Sequence, residues 1–311
     1  MNKPLALVIA AALPAALLGG CSHHSWNSTT YYNAVLVPID PPAGETDLNL
    51  YTEFGDLDVA ITGTQINGKA FKHYQGELPD GPFVIAITQS NDPLRPATAT
   101  VEPVWSGSEL SLVTNWPGGR NGRNGEGTSY TVRVHHLYAA TLDSQFGDLD
   151  IVGATGPVTA ETKFGDIDLH AALASEARLI TKHGDVSVWD LEGPLFARTS
   201  FGDVEGTHLA GPIEARSAYG DIDLLLNADN AGPFIAITRF GDVTVTAGHG
   251  LTGSLEIDTD FGEAIFTGQT ASGQRIRVGG NDQSSVTLSD GPKSLAETDH
   301  GDVRVVITEG Q

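Results

Sequence analysis

The stretch TKFGDIDL, residues 162–169, decides the fold because close copies of it return along the chain. SQFGDLDI begins at 144, TSFGDVEG at 199, SAYGDIDL at 217 and TRFGDVTV at 238. From residue 146 onward, successive rings before the glycine are separated by 18, 19, 18, 18, 21, 21 and 39 residues. A fixed period of this size is typical of repeat proteins, in which each unit packs against its neighbours.

Within each copy, apolar or small residues alternate with polar ones on both sides of the triplet of ring, glycine and acid. Thr162 and Ala160 lie two and four residues before Phe164, and Ile167 and Leu169 follow the triplet at alternate positions. A period of two places such residues on one face of an extended chain. The sequence therefore predicts an all-β fold, a parallel single-stranded β-solenoid with coils of about 18–21 residues. We expect each corner to rest directly over the previous one along the chain.

Stacking of the coils aligns like residues in columns. The rings are expected to close the coil interior as an aromatic column, and the acids after glycine are expected to form a second column. The predicted aromatic column contains Phe146, Phe164, His183, Phe201, Tyr219, Phe240, Phe261 and His300. The predicted acid column contains Asp148, Asp166, Asp185, Asp203, Asp221 and Asp242, followed by Glu263 and Asp302.

Stacked carboxylates repel one another, and two arrangements can offset that repulsion. One is a ladder of calcium ions along the six aspartates, because calcium prefers clustered oxygen ligands. The other is local, from N–H donors of the turns with Lys163, Lys182 and Arg239 nearby. A second column, two residues further on, includes Ile265 and Arg304, which a metal ladder would not tolerate. We predict no dedicated metal site and no cofactor, and keep calcium as the alternative.

Residues outside the regular period are expected to complete the two ends. The 39-residue interval before His300 predicts a decayed coil near residues 275–291, in which VTL keeps a strand. Strand-like runs over residues 64–135 lack the period and predict an irregular antiparallel β region that caps the first coil. The stretch LHAALASEARLI, residues 169–180, is interpreted as a turn insertion that leads into a strand.

The amino-terminal residues predict export and a lipid anchor. A short apolar run ends in LLGGC, which resembles the bacterial lipobox and makes Cys21 the predicted lipid attachment site. Ser22 follows the cysteine, and in many double-membraned bacteria a residue other than aspartate there implies the outer membrane. The predicted divisions are a signal peptide over 1–20, a polar tether over 21–44, the N-terminal β region over 45–135 and the solenoid over 136–311.

Charge and motifs limit the classes of function. The formal net charge is −22, from 39 acidic and 17 basic residues, which disfavours nucleic acid as a partner. Cys21 is the only cysteine, so neither a disulfide within the chain nor a cysteine nucleophile is expected. No nucleophile elbow, zinc-protease motif or Ser-His-Asp arrangement stands out. We therefore predict a protein that is not an enzyme, the alternative being a glycan-active enzyme that uses paired surface carboxylates.

The segment from YTVRVHH through SQFGDLDI and TKFGDIDL, with further Gly-Asp copies behind it, resembles the adhesin-like domain family of unknown function of bacterial envelope proteins. The resemblance covers residues 45–308 and departs from the family pattern at Glu263 and near residue 280. It implies a strand region followed by a β-solenoid, and it brings no catalytic residue and no cofactor. We expect a lipid-anchored structural or interaction module at the periplasmic face of the outer membrane or the cell surface, which acts through an acidic surface of the solenoid. Its expected partners are the membrane, another envelope protein or a glycan.

Overall fold

The computed structural model describes residues 30–41, 44–64, 74, 76–92, 94, 96–116, 126–170, 174–227, 232–248, 250–269, 275–280 and 284–308. Over these ranges the chain forms two long β-sheets and one short 3-10 turn, Pro96–Thr98. Within them no helix has the length and apolar character that a membrane span requires.

The first sheet, sheet A, has 13 strands, and most neighbours in its central part are parallel. In chain order its strands are β1 (Tyr31–Pro38), β3 (Leu57–Ile61), β4 (Phe83–Ser90), β7 (Gly127–Val134), β9 (Leu149–Val152), β11 (Ile167–His170), β13 (Val186–Trp189), β15 (Val204–Leu209), β17 (Ile222–Leu226), β19 (Val243–Gly248), β21 (Ala264–Gln269), β22 (Arg275–Gly280) and β25 (Val303–Thr308).

The second sheet, sheet B, has 12 strands and receives the residues that precede each corner. Its strands are β2 (Thr46–Phe54), β5 (Thr100–Ser106), β6 (Glu109–Asn115), β8 (Leu137–Phe146), β10 (Pro157–Phe164), β12 (Glu176–Ile180), β14 (Leu195–Arg198), β16 (Ile213–Arg216), β18 (Phe234–Phe240), β20 (Ser254–Phe261), β23 (Ser284–Thr287) and β24 (Lys293–His300).

Consecutive coils stack in parallel and in register, as the period predicts. In sheet B, Ala160 lies between Leu142 of β8 and Leu179 of β12. In sheet A, Ile167 lies between Leu149 and Val186. Each coil therefore contributes one strand to each sheet and crosses between them at its Gly-acid corner, which confirms the predicted parallel β-solenoid.

The core lies between the two sheets and runs along the whole stack. Sheet A supplies branched side chains such as Val186 and Val204, while sheet B supplies small ones such as Ala197 and Ala215, all of them fully buried. Small residues opposite large ones let the sheets approach closely and pack without voids. Because each buried apolar side chain contributes about 1.5–3 kcal/mol, this continuous core is the main source of stability in a chain without a disulfide.

The last coil is out of chain order. Strand β24 lies between β18 and β20, and β25 lies between β19 and β21, all in parallel. The coil with His300 is thus inserted between the coils of Phe240 and Phe261. The expectation that every corner rests on the previous corner in the chain is wrong at this end, because the final strands pair with two coils that are not their neighbours in sequence.

Antiparallel strands terminate both ends of the stack. At one end β1, β4 and β7 pair antiparallel in sheet A, and β5 pairs antiparallel with β6 in sheet B. At the other end β22 pairs antiparallel with β21, and β23 with β20. The predicted antiparallel cap is confirmed, whereas the decayed coil expected near 275–291 is wrong, since its described residues form these reversed strands instead.

The predicted tether and the predicted turn insertion can both be compared with the strands of the structure. Strand β1, YYNAVLVP, lies within the range 21–44 interpreted as tether, and it pairs along its whole length with β4. Residues 176–180 form β12, in line with the interpretation of 169–180 as an insertion that leads into a strand. Residues 171–173 of that stretch, the predicted signal peptide and Cys21 lie outside the described residues.

Candidate functional site

The corner glycines are required by the close approach of neighbouring coils. Gly202 has φ +148°, which L side chains rarely adopt. A Cβ added there would lie 2.6 Å from the carbonyl carbon of Gly184 and even closer to its oxygen. No side chain fits between two coils at this point, so the glycine of the triplet is a packing requirement of the stack.

The corner aspartates hold the coils together through their side chains. Oδ1 of Asp148 accepts the backbone N–H of Asp166 at 3.1 Å, and Oδ1 of Asp166 accepts that of Asp185 at 2.9 Å. The same bond continues from Asp185 to Asp203, Asp221, Asp242, Asp302 and finally Glu263, at 2.7–2.9 Å. Each N–H donor belongs to the next coil, and not to the aspartate's own turn as expected. These charge-assisted hydrogen bonds offset the repulsion along the acid column.

A column of buried hydroxyl groups accompanies the aspartates. Thr199 donates a hydrogen bond to the carbonyl oxygen of Gly184 at 2.9 Å, and Ser217 donates to Gly202 at 2.9 Å. The equivalent bonds are made by Ser144, Thr162, Thr181, Thr238, Thr259 and Thr298. Sequence reasoning placed several of these residues on the inward face but missed their role. The signal was the hydroxyl residue that recurs two positions before each ring.

The rings stack in one column, but they lie at the surface. Neighbouring rings from Phe54 to Phe261 have centroids 4.7–5.0 Å apart and interplanar angles of 2–10°. The side chain of Phe201 is 46% exposed, so the expectation that the rings close the coil interior is wrong. The buried hydroxyl groups close it instead. Because ring faces are covered by their neighbours, the column offers mainly ring edges to solvent.

The outer face of sheet A carries a second acid column near the N-terminal end. Asp58, Asp150 and Asp168 occupy equivalent positions on β3, β9 and β11. Burial, and after it repulsion by Asp150, raises the pKa of Asp58 to about 7. Burial also raises the pKa of Asp150 and Asp168. The hydroxyl of Thr131 donates to Asp58 at 3.1 Å and partly opposes the shift.

The described residues contain no group of three His, Cys, Asp or Glu side chains that could hold a metal ion. The six aspartates of the acid column instead form a single file in which each has a backbone partner in the next coil. Calcium along this file stays the alternative, and it would have to compete with those hydrogen bonds.

Comparison with known proteins identifies part of the solenoid. The family model described as Toastrack DUF4097 matches residues 129–254. Residues 129–254, called the Toastrack domain below, are therefore similar to that family over less than half of the chain. This confirms the resemblance to the adhesin-like domain family of unknown function, over a shorter range than 45–308. No curated protein matches the chain.

The solved structures that match the chain are distant from it in sequence. A candidate adhesin from Bacteroides fragilis is 15% identical with a TM-score of 0.46, and the match covers 89% of this chain and 97% of that protein. A candidate adhesin from Parabacteroides distasonis is 11% identical with a TM-score of 0.33, covering 91% of this chain and 98% of that one. A candidate cell adhesion protein from Clostridium sporogenes is 11% identical with a TM-score of 0.23, over 90% and 100%.

The outer face of sheet B between β10 and β18 carries six cations interspersed with the acids Glu161, Glu176 and Glu214. Its positions alternate with the buried ones of β10 to β18, and we name the cations there the basic row. The basic row consists of Lys163, Arg178, Lys182, Arg198, Arg216 and Arg239. Sequence reasoning noted three of these residues as neighbours of the corner but did not align them on one face.

Two shallow grooves lie along this face of the Toastrack domain. One, of about 330 Å³, is lined by Arg198, Arg216 and Arg239 and by the acidic Glu297 and Asp299. The other, of about 490 Å³, is lined by Arg178 and Phe196 and by prolines of the return turns. The guanidinium of Arg178 lies over the ring of Phe196 at 4.7 Å. These grooves are open surfaces, suited to an extended partner.

Proposed function

We propose that this chain is a non-enzymatic, adhesin-like module of the bacterial cell envelope. A lipid on Cys21 would attach it to a membrane, at the periplasmic face of the outer membrane or at the cell surface. The outer faces of the solenoid would then meet another envelope protein or a glycan. The proposal rests on the resemblance to the adhesin-like family and on the different roles of the side chains in each coil: those at the corner bind the next coil, and those on the outer faces meet solvent.

That difference in roles is the observation that carries the proposal. The repeated polar groups of the corner, the carboxylates and the hydroxyls, are engaged with the backbone of the next coil. These groups therefore hold neighbouring coils together, and the side chains available to a partner are those on the two outer faces. Two long faces joined by a rigid core suit a binding surface better than a reaction centre, for which groups must converge on one point.

Metabolic labelling with an alkyne fatty acid tests the anchor. The full chain is expected to take up the label and to remain with the membrane fraction, because acyl chains hold a protein at a bilayer. The Cys21→Ala variant should lose the label, whereas Ser22→Ala, its matched control, should keep it. Equal labelling of Cys21→Ala and the wild type would contradict the anchor.

Two measurements test the module itself. Pull-down from intact envelopes with the wild-type chain should recover a partner without release of new reducing ends from envelope glycans, and steady release would favour the glycan-active alternative. Calcium should leave the melting temperature unchanged, because a ligand that does not bind the native state cannot stabilise it. A rise with calcium that EDTA reverses would favour the calcium-stabilised adhesin.

A further inference from the structure

The outermost strands of the two sheets differ in how well they are protected against pairing with another chain. Over the described residues, sheet A ends with β1 and β22, and sheet B ends with β5 and β23. Proteins protect such edges with charges, prolines or very short strands. Strand β5 contains Glu102 and Pro103, β22 has two arginines in RIRVGG, and β23 has only four residues. Strand β1, YYNAVLVP, has eight residues, no charge and a proline only at its last position.

The side chains of β1 have the pattern of an interior strand. Ala34 and Leu36 pack on an apolar cluster of β4 on the outer face of sheet A, and Val37 packs against the main core on the inner face. Strands with apolar side chains on both faces are typical of the interior of a sheet. Among the described residues, however, sheet A has no strand beyond β1, and Tyr32 is 47% exposed. The strand is therefore built like one with a neighbour on each side.

The backbone of β1 directs every second residue toward its outer edge. The carbonyl oxygen of Asn33 accepts a hydrogen bond from a threonine of β4 at 3.3 Å, and the N–H of Ile39 donates to the residue before β4 at 3.4 Å. These odd-numbered residues direct their backbone groups toward β4. Because the direction alternates along an antiparallel strand, Ala34 and Leu36 direct their N–H and C=O groups away from β4. The edge thus offers the pattern that a further antiparallel strand requires.

We propose that β1 pairs with β1 of a second copy of this chain, antiparallel and about a two-fold axis at Ala34. Tyr32 of each copy then lies opposite Leu36 of the other, and about six backbone hydrogen bonds join the strands. An aromatic side chain opposite an aliphatic one stabilises such a pair, and the exposed ring of Tyr32 becomes covered. Pro38, which has no N–H to donate, lies outside the hydrogen-bonded residues. This inference goes beyond the proposed function, because it does not involve the partner of the outer faces.

Charge and symmetry favour a second copy as the occupant of this edge. Each copy has a net charge of −22, so contact through the acidic faces or the acid column would bring like charges together. Strand β1 has no charged residue, and its pairing with itself places no ionised side chains opposite each other. A two-fold axis pairs a strand with itself in the antiparallel direction, which continues the antiparallel order of β1, β4 and β7. The pair uses the open edge of both copies, so assembly stops at a dimer.

Sedimentation equilibrium of the full chain in density-matched neutral detergent tests the pair. The wild type should show a monomer–dimer equilibrium that does not weaken as salt is raised, because salt screens the repulsion between two acidic chains. Ala34→Pro removes an N–H that points away from β4, a position where an edge strand tolerates proline, and should weaken the dimer about tenfold or more. Ala34→Ser, the matched control, keeps the N–H and should dimerise within about twofold of the wild type.

Disulfide trapping locates the contact and does not depend on the proline variant. In a Cys21→Ala background, Ala34→Cys should give a disulfide-linked dimer under mild oxidant. Hydrogen-bonded residues of an antiparallel pair have Cα atoms about 5.5 Å apart, within the range of a disulfide. Val104→Cys, on the protected edge strand β5 and 48% exposed in the wild type, should remain monomeric.

Several results would overturn the proposal. These are a wild type that stays monomeric up to about 0.1 mM, a dimer that weakens with salt, and assembly beyond the dimer. Equal dimerisation of Ala34→Pro and the wild type would overturn it as well, and so would equal trapping of Val104→Cys and Ala34→Cys. If Ala34→Pro melts below the wild type, the trapping result decides. Trapping of a different envelope protein at Ala34→Cys, in place of a second copy, would also reject the proposed occupant.

Discussion

Replacement of Gly202 with alanine is expected to destabilise the solenoid by about 3.5–7 kcal/mol. The added Cβ would lie 2.6 Å from the carbonyl carbon of Gly184 and 2.7 Å from Oδ1 of Asp185, so the two coils must separate at this corner. Separation weakens the bond from the N–H of Asp203 to Asp185, 2.8 Å, and the bond from Thr199 to Gly184, 2.9 Å.

The magnitude follows from these contacts. Holding a residue with a Cβ at φ +148° costs about 1–3 kcal/mol. Weakening a hydrogen bond to a charged acceptor costs about 1.5–3 kcal/mol, and loss of the hydroxyl bond about 1 kcal/mol. Since the total stability of a domain is about 5–15 kcal/mol, the variant should lose a large part of it.

Equilibrium unfolding in urea, followed by far-ultraviolet circular dichroism, measures the effect. The Gly81→Ala variant is the matched control, because a Cβ there meets no atom within 4 Å. Ser200→Ala, on the outward side of the same corner, should also be nearly silent, within about 0.5 kcal/mol. Equal unfolding midpoints for Gly202→Ala and Gly81→Ala would refute the argument that glycine is needed for the approach of the coils.

Three further predictions concern single side chains. Thr199→Val should lower stability by about 1–3 kcal/mol in urea unfolding, because the buried carbonyl of Gly184 loses its donor, while Thr199→Ser should restore most of it; equal loss in both would point to packing instead. Asp185→Ala should lower the melting temperature more than Asp185→Asn does, because the amide oxygen can still accept the N–H of Asp203, and the reverse order would contradict the ladder. Asp58 has its pKa raised, so the folded state binds a proton that the unfolded state releases between about pH 4 and 7, and stability falls as pH rises through that window. The Asp58→Asn variant should therefore be more stable than the wild type by up to about 4 kcal/mol at pH 8, and nearly as stable as the wild type at pH 4. An equal gain in stability at both pH values, measured by calorimetric melts, would contradict the raised pKa of Asp58.

The strands, the corners and the parallel stacking could be predicted from the sequence, because the alternation around Phe164 and the period of the triplet are local signals. The order of the coils could not. Residues 293–308 have the same pattern as any other coil, and nothing local tells whether their neighbours in space are also their neighbours in the chain. That choice depends on long-range pairing with β18 and β20.

The outward position of the rings could not be predicted from the alternation of apolar and polar residues either. Counting by twos places Phe201 with the buried Thr199 and Ala197, but the chain turns at Gly202 and carries the ring out of the interior. The basic row could have been found, because Lys163, Lys182 and Arg239 share a position relative to their rings. Alignment of the repeats by their outward positions, as well as by the inward ones, gives that signal.

Disulfide trapping of the last coil tests the stack most directly. In a Cys21→Ala background, Arg239→Cys with Asp299→Cys places the two cysteines on adjacent strands. Their Cα atoms are then about 4.8 Å apart, within the range of a disulfide. Arg239→Cys with Asp260→Cys places them two strands apart, about 9.6 Å, which is too far. We predict rapid oxidation of the first pair and little of the second under mild oxidant. Rapid oxidation of the second pair and not of the first would contradict the insertion of the final coil between its two neighbours.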